Sequence, residues 1–67
     1  MAKIQLNGKK LKIHTNLSFK DLLKKYRLNE GKIAIELNGT ILPKQQYEKK
    51  KIKNNDKIEI VQFIGGG

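Results

Sequence analysis

The chain has 67 residues, of which 15 are Lys or Arg and 6 are Asp or Glu, so its formal net charge at pH 7 is +9. A chain this short forms one domain and buries only about 60% of its unfolded surface, which disfavours a deep internal active site. The absence of cysteine excludes disulfides, a thiol nucleophile and thiolate metal ligands, and the single histidine, His14, does not make a zinc site by itself.

Two segments at the start of the chain, residues 3–7 and 10–14, alternate apolar and polar residues. This period of two is typical of half-buried strands. The apolar face of each strand carries two residues, Ile4 with Leu6 and Leu11 with Ile13. Between the segments, Asn7-Gly8 tolerates the positive φ angles of a two-residue turn, so the sequence predicts an antiparallel hairpin.

Residues 17–28 change to the period of an α-helix. The apolar stripe contains residues spaced i, i+3, i+4 and i+7, which are Phe19, Leu22, Leu23 and Tyr26. Ser18 is suited to cap the first turn, and Asp21 three residues later completes a capping box. The sequence therefore predicts one amphipathic helix with a well-determined start.

Beyond the helix the sequence returns to period two. Residues 33–37 predict a third strand, and an Asn38-Gly39 turn leads into a short strand that Pro43 ends, because proline donates no ladder hydrogen bond. Residues 44–56 predict a polar, lysine-rich loop, and residues 57–64 predict the last strand. The alternation of this strand places two pairs on opposite faces, Ile58 with Ile60 and Val61 with Phe63.

This order predicts an α+β fold in which a mixed sheet of four to five strands packs one main helix on one face. With the last strand paired centrally, the arrangement is the β-grasp of ubiquitin-like domains. We expect residues 1–64 to form this domain and residues 65–67 to be a flexible glycine tail. Ala34, Val61 and Phe63 are expected on the open face. The predicted core consists of Ile4, Leu6, Leu11, Ile13, Phe19, Leu22, Leu23, Tyr26, Ile33, Ile35, Leu37, Ile58 and Ile60.

Three parts of the sequence resemble the ThiS family, the sulfur carrier proteins of thiamine biosynthesis. They are "NGTILPKQQY" at residues 38–47, "NNDKIEIVQFI" at residues 54–64, and the final Gly66-Gly67. Two positions depart from the family pattern. Lys44 stands where arginine is usual, which keeps the charge but loses bidentate geometry, and Gly65 adds a third glycine.

The resemblance implies that the C-terminal carboxylate of Gly67 is the reacting group. A ThiF-type adenylyltransferase, using Mg-ATP, would adenylate it, and a persulfide donor would convert it to a thiocarboxylate that gives its sulfur to the thiazole synthase ThiG. The chain would be a monomeric carrier that binds no cofactor and is not an enzyme. We expect Val61, Phe63, Ile64 and Lys44 to contact the partners, with Gly65 and Gly66 leading to the reacting end.

Three alternatives stay open. The same fold and tail suit a molybdopterin-synthase small subunit or a ubiquitin-like protein modifier, since fold does not fix the acceptor. The charge of +9 suggests a basic nucleic-acid-binding domain. That reading is disfavoured because single-strand binders stack bases on aromatic side chains, and only Phe63 and Tyr47 are left outside the helix stripe.

The sequence has no apolar run near the roughly 20 residues that a membrane helix needs. We therefore expect a cytoplasmic protein without a membrane partner.

Overall fold

The computed structural model describes residues 1–63, which form one mixed sheet and one α-helix. The elements are β1 Ala2–Leu6, β2 Lys9–Ile13, α1 Phe19–Lys25, β3 Ile33–Leu37, β4 Thr40–Ile41 and β5 Lys57–Gln62, with 3-10 helices at Glu30–Lys32 and Lys44–Gln46. The strand order is β2-β1-β5-β3-β4. Because β5 runs parallel to β1 and antiparallel to β3, the last strand lies in the centre and the predicted β-grasp fold is confirmed.

Both predicted Asn-Gly turns are present. Asn7 and Gly8 have φ angles of 48° and 83°, and Asn38 and Gly39 have 51° and 88°. Two consecutive residues with positive φ are typical of the type I′ turn, whose twist matches that of the strands it joins. These turns fix the register of the β1–β2 and β3–β4 pairs.

The start of α1 is closed by hydrogen bonds. The Ser18 hydroxyl accepts from the Asp21 backbone N–H at 3.0 Å, and the Asp21 carboxylate accepts from the Ser18 N–H at 3.1 Å, as the predicted capping box requires. The N–H groups of Phe19 and Lys20 donate to the carbonyls of Lys50 and Tyr47. The segment after β4 is thereby attached to the helix N-terminus, because these groups have no partner inside the helix.

The end of α1 differs from the sequence prediction. The helix begins after the predicted cap Ser18, but it ends at Lys25 with Tyr26 as its C-cap, so the predicted helix is too long at its C-terminal end. Arg27 has a φ of 56°, and the N–H of Leu28 donates to the Leu23 carbonyl at 2.8 Å, as in a Schellman motif. The predicted burial of Tyr26 is wrong, because the reversed chain packs Leu28 against the core and leaves Tyr26 41% exposed.

No helix in residues 1–63 has the length and apolar character needed to cross a bilayer.

The core lies between α1 and the sheet and contains most of the predicted residues. Its buried members are Ala2, Ile4, Ile13, Phe19, Leu22, Leu23, Ile33, Ile35, Leu42, Tyr47, Ile52 and Ile58, while Leu6, Leu11, Leu37 and Ile60 are partly buried against them. The segment predicted as a polar loop, residues 44–56, supplies two of the buried side chains. Tyr47, expected among the aromatics outside the core, is only 2% exposed.

Candidate functional site

The face of the sheet opposite α1 carries an exposed apolar patch. Strand register places Val61 opposite Ala34, and Ile41 opposite Glu36 two residues farther along β3. Alternation beyond β5 puts Phe63 on the same face as Val61, and the Phe63 N–H donates to the Lys32 carbonyl at 2.8 Å. We call Ala34, Ile41, Val61 and Phe63 the open-face patch.

The side chains of the open-face patch are largely solvated. Val61 is 58% exposed, Phe63 59% and Ile41 61%, and Ala34 is partly buried. Exposed apolar side chains that lie together on one face are typical of surfaces that bind another molecule. The structure thus puts Val61 and Phe63 where the alternation of the last strand predicts them, at the end of the central strand.

Lys44 lies away from this strand pair. It begins the 3-10 helix Lys44–Gln46, which follows the edge strand β4, and its side chain is exposed. The structure therefore does not place it in the strands that carry Val61 and Phe63, and its contact with a partner stays a prediction. The other proposed site residues, Ile64 and residues 65–67, lie outside the described part of the chain.

Tyr47 holds the Lys44 segment against the core. Its carbonyl accepts a hydrogen bond from the Lys20 N–H at 2.9 Å, so it is fixed to the first turn of α1. Burial raises the pKa of the Tyr47 hydroxyl, and a hydrogen bond with the backbone of Ile35 opposes part of that shift. The buried tyrosine thereby connects the segment to both α1 and β3, which fixes the position of Lys44 at the β4 edge.

The described residues offer a surface, with no enclosed reaction centre among them. Within residues 1–63, no group of three or more His, Cys, Asp or Glu side chains could hold a metal ion, and no charged side chain is buried. The pKa of Asp21 is held below its ordinary value by its hydrogen bonds with Ser18, first from the backbone N–H, and this shift belongs to the helix cap. What the arrangement can do is bind another protein through an apolar surface.

Sequence reasoning missed one member of the open-face patch. Ile41 lies in a strand of two residues, which is too short to show a period. No sequence signal separates Ile41 from Leu42, because both are aliphatic, and only the structure shows that Ile41 is exposed whereas Leu42 is buried. Ile41 places an apolar side chain at the β4 edge of this face, beside Glu36, which lies directly opposite it on β3.

Comparison with known proteins relates the chain to a family. The sequence model of the ThiS family matches residues 3–67. The chain is 38% identical to the sulfur carrier protein ThiS of Bacillus subtilis, over 96% of this chain and 98% of that protein. It is 35% identical to a thiazole synthase of Paramagnetospirillum magneticum, over 97% of this chain and only 20% of that longer protein. The crystal structure of ThiS from Geobacter metallireducens superposes with a TM-score of 0.81 at 26% identity, covering 97% of this chain and 99% of that one.

Proposed function

The chain belongs to the ThiS family of sulfur carrier proteins, and from this we propose that it carries sulfur, as a thiocarboxylate on Gly67, for formation of the thiazole ring of thiamine. The observation that carries the proposal is the family match over residues 3–67, which includes the final glycines. The B. subtilis relative supports it, since the similarity extends over nearly the full length of both proteins.

The first step of the proposed cycle activates the Gly67 carboxylate. A carboxylate resists nucleophilic attack because its negative charge and resonance oppose addition at carbon. A ThiF-type adenylyltransferase supplies Mg-ATP, and a Gly67 oxygen attacks the α-phosphorus. The bond from this phosphorus to the α,β-bridging oxygen breaks, so that pyrophosphate leaves and Gly67 becomes an acyl-adenylate. This is covalent activation, which divides one difficult substitution into two easier ones.

The second step replaces AMP with sulfur. The terminal sulfur of a persulfide donor attacks the Gly67 carbonyl carbon, the C–O bond to AMP breaks, and an acyl disulfide forms. A thiol then attacks the S–S bond and is oxidised to a disulfide, while Gly67 leaves as a thiocarboxylate. The thiocarboxylate is a soft nucleophile that can transfer its sulfur to the substrate of a thiazole synthase.

The glycines are suited to delivering this end group. Four residues from Ile64 to Gly67 reach about 14 Å when extended, at roughly 3.5 Å per residue. Glycine has no Cβ, so it allows the backbone to approach a nucleotide site closely. The catalytic groups belong to the partners in this scheme, and the chain acts as their co-substrate.

The open-face patch is the proposed contact surface for both the adenylyltransferase and the thiazole synthase. Val61 and Phe63 directly precede Ile64 and the glycines in the sequence, so a partner bound there is next to the residues that lead to Gly67. The thiazole synthase relatives support the proposed contact with a thiazole synthase, because a region resembling this chain makes up 20% of their length. Lys44 is a further proposed contact, at the β4 edge of the sheet.

Intact mass spectrometry tests the proposal. The chain is incubated with the adenylyltransferase, Mg-ATP, a persulfide donor and a thiol, and we expect a gain of about 16 Da from the exchange of oxygen for sulfur at the acyl carbon. A wild-type chain without this gain contradicts the proposal. A larger mass on a second protein, through a lysine amide, would indicate a protein modifier, and sulfur transfer to a molybdopterin precursor in place of the thiazole precursor would indicate the molybdopterin role.

Variants of the last residues show whether Gly67 is the acyl centre. Deleting Gly67, or adding one alanine after it, moves the carboxylate by one residue, and misplacement by even about 1 Å can cost 100-fold in rate. We expect both variants to fold as the wild type does and to gain no sulfur. Gly66→Ala keeps the chain length and is the matched control for it. This variant should gain sulfur slowly, because its methyl group hinders the close approach of the backbone to the nucleotide site of the adenylyltransferase. Full mass gain in the extended variant would refute the role of Gly67.

A further inference from the structure

The open face has a second region, next to β2, that is strongly basic. The register pairs Lys3 with Lys12 and places Gln5 between Lys10 and Lys57. All four lysine side chains are exposed. We call Lys3, Lys10, Lys12 and Lys57 the lysine cluster.

Within residues 1–63, no carboxylate forms an ion pair with the lysine cluster. The one ion pair in this part of the chain joins Lys20 and Glu48, on the helix side of the sheet. Two acids lie close to the cluster. Asp56 accepts hydrogen bonds from the Lys53 N–H at 2.8 Å and from the Asn38 side-chain amide at 3.2 Å, and Glu59 follows Lys57 by two residues on the same face of β5, opposite Glu36. Like charges directly opposite each other on two strands are destabilising, so the Lys3–Lys12 pair costs the isolated chain stability.

The lysine cluster surrounds a shallow concavity of about 400 Å³. The amides of Gln5 and Asn55 and the carboxylate of Asp56 lie on its wall together with the four lysines. Each oxygen of the Asp56 carboxylate already accepts a hydrogen bond, from the Asn38 side-chain amide and from the Lys53 N–H. Lysine ammonium groups and side-chain amides are hydrogen-bond donors that carboxylates accept. The concavity therefore presents a surface whose shape and charge fit a protruding acidic side chain.

The lysine cluster and the open-face patch lie on the same face and share β5. Lys57 and Val61 are four residues apart on this strand, which is about 13 Å at 3.3 Å per residue. A protein interface of standard size covers about 800 Å² on each partner, so one protein seated on the patch reaches the cluster. Charged regions at the edge of an interface act mainly on the rate of association.

We propose that the lysine cluster docks an acidic surface of the protein that binds the open-face patch, and that it accelerates their association electrostatically. This inference rests on the proposed function, since its partner is the adenylyltransferase. A single-stranded nucleic acid is the less suitable occupant, because no aromatic side chain lines the concavity and stacking on aromatics is how such strands are held.

Stopped-flow association with the adenylyltransferase tests the proposal. Electrostatic steering raises association rates by 10-fold to 1,000-fold and is lost as salt shortens the Debye length from about 10 Å at 0.1 M to about 3 Å at 1 M. We expect the wild-type association rate constant to fall at least about tenfold between 0.05 M and 0.5 M NaCl. The double variant Lys3→Glu/Lys12→Glu should associate about tenfold more slowly at low salt, and the two proteins should converge at high salt.

A matched control separates the position of the charges from their number. Lys49→Glu/Lys50→Glu changes the net charge equally, at exposed residues of the segment that contacts the start of α1. We expect its association rate to stay within about twofold to threefold of the wild type, as surface charges farther than a Debye length from the interface are screened. An equal loss in this control, or no loss in the Lys3/Lys12 variant, overturns the proposal.

Two further outcomes are distinguishable. A fluorescent 20-nucleotide single strand is titrated in parallel at 0.15 M NaCl. Submicromolar binding that is lost in the Lys3/Lys12 variant, with protein association unchanged, would overturn the proposal in favour of a nucleic-acid surface. Failure of the proposed function is seen separately, as the absence of a mass gain in the wild-type chain. Failure of this inference instead leaves that gain in place while the association rates do not depend on the cluster.

Discussion

Replacing Phe63 with alanine tests the open-face patch most directly. Phe63 is 59% exposed, and an aromatic residue has about 200 Å² of surface to bury, so roughly 120 Å² remains available to a partner. At about 25 cal/mol per Å², full burial contributes about 3 kcal/mol. Alanine keeps part of this area, and we therefore expect Phe63→Ala to lose about 2 kcal/mol of binding free energy, which is about 30-fold in Kd.

Isothermal titration calorimetry with the adenylyltransferase, and separately with the thiazole synthase, measures this effect. Tyr26→Ala is the matched control, because Tyr26 is also an exposed aromatic residue but lies at the end of α1, on the other side of the sheet. The reasoning is refuted if Phe63→Ala binds both enzymes as the wild type does, or if Tyr26→Ala weakens binding equally.

The same variant should fold normally. The hydrogen bond from the Phe63 N–H to the Lys32 carbonyl, 2.8 Å long, involves the backbone only and survives the substitution. Because most of the side chain is in solvent, the free energy of unfolding should fall by less than about 1 kcal/mol. Thermal unfolding followed by circular dichroism checks this, and a larger loss would mean that any weaker binding reflects damage to the fold.

Three further predictions concern the fold. Tyr47→Ala removes a buried aromatic side chain and should lower the free energy of unfolding in urea by about 3–5 kcal/mol; a loss below about 1 kcal/mol would contradict its place in the core. Arg27 has a φ of 56°, which is strained for a residue with a Cβ. Arg27→Gly should therefore raise the free energy of unfolding by about 0.5–1 kcal/mol, and a decrease would contradict backbone strain at this position. Hydrogen bonds with Ser18 lower the pKa of Asp21 in the folded chain. Its contribution to the free energy of unfolding is therefore fully present above its unfolded pKa of about 3.9 and is lost as the pH falls through the folded pKa. Asp21→Asn should thus be less stable than the wild type at pH 7 and closer to it at pH 2, and an equal difference at both would contradict the cap.

Elements governed by local interactions were predictable from the sequence. Asn7-Gly8 and Asn38-Gly39 specify their turns through the backbone angles that these residues tolerate. Ser18 and Asp21 specify the start of α1 because each satisfies the other's backbone N–H. These features depend on residues no more than three apart, so one sequence contains all the information they need.

The end of α1 was not predictable in the same way. Tyr26 continues the apolar stripe, and the residue that reverses the chain is Arg27, whereas glycine or asparagine is the usual signal for this conformation. Leu28 then packs against the core in the place expected for Tyr26. The choice between them depends on how the chain after the helix meets the sheet, which periodicity does not describe.

The burial of Tyr47 and Ile52 likewise depends on tertiary contacts. Each is an isolated apolar residue among lysines, glutamines and glutamate, so neither belongs to a period. The Ile52 N–H donates to the Leu17 carbonyl at 2.7 Å, and the Tyr47 carbonyl accepts from Lys20. The segment is held by the start of α1, a partner that is about 30 residues away in sequence and invisible to a local pattern.

The candidate site was predictable to the extent that it follows alternation. Because side chains in a strand alternate between faces, the register that buries Ile58 also exposes Val61. The same rule puts Lys3 and Lys12 on the open face. The net charge of the chain does not show where its lysines lie, but the alternation along β1 and β2 does. Pairing between β1 and β5 was needed to bring Lys57 beside them.

The open face combines two features that each disfavour the isolated chain, an exposed apolar patch and a pair of lysines directly opposite each other. Lys12→Glu would place a negative charge across from Lys3 and should raise the free energy of unfolding by about 0.2–1 kcal/mol. If the face binds an acidic partner, the same change should slow association with the adenylyltransferase, so stability and binding should move in opposite directions. If the lysines are only solvated surface, stability should rise with the association rate unchanged. Denaturation in urea and stopped-flow kinetics on this one variant distinguish the two cases. The free energy of unfolding reports on the repulsion between Lys3 and Lys12, which is a property of the chain alone. The association rate falls only if the partner carries the opposite charge to the lysines.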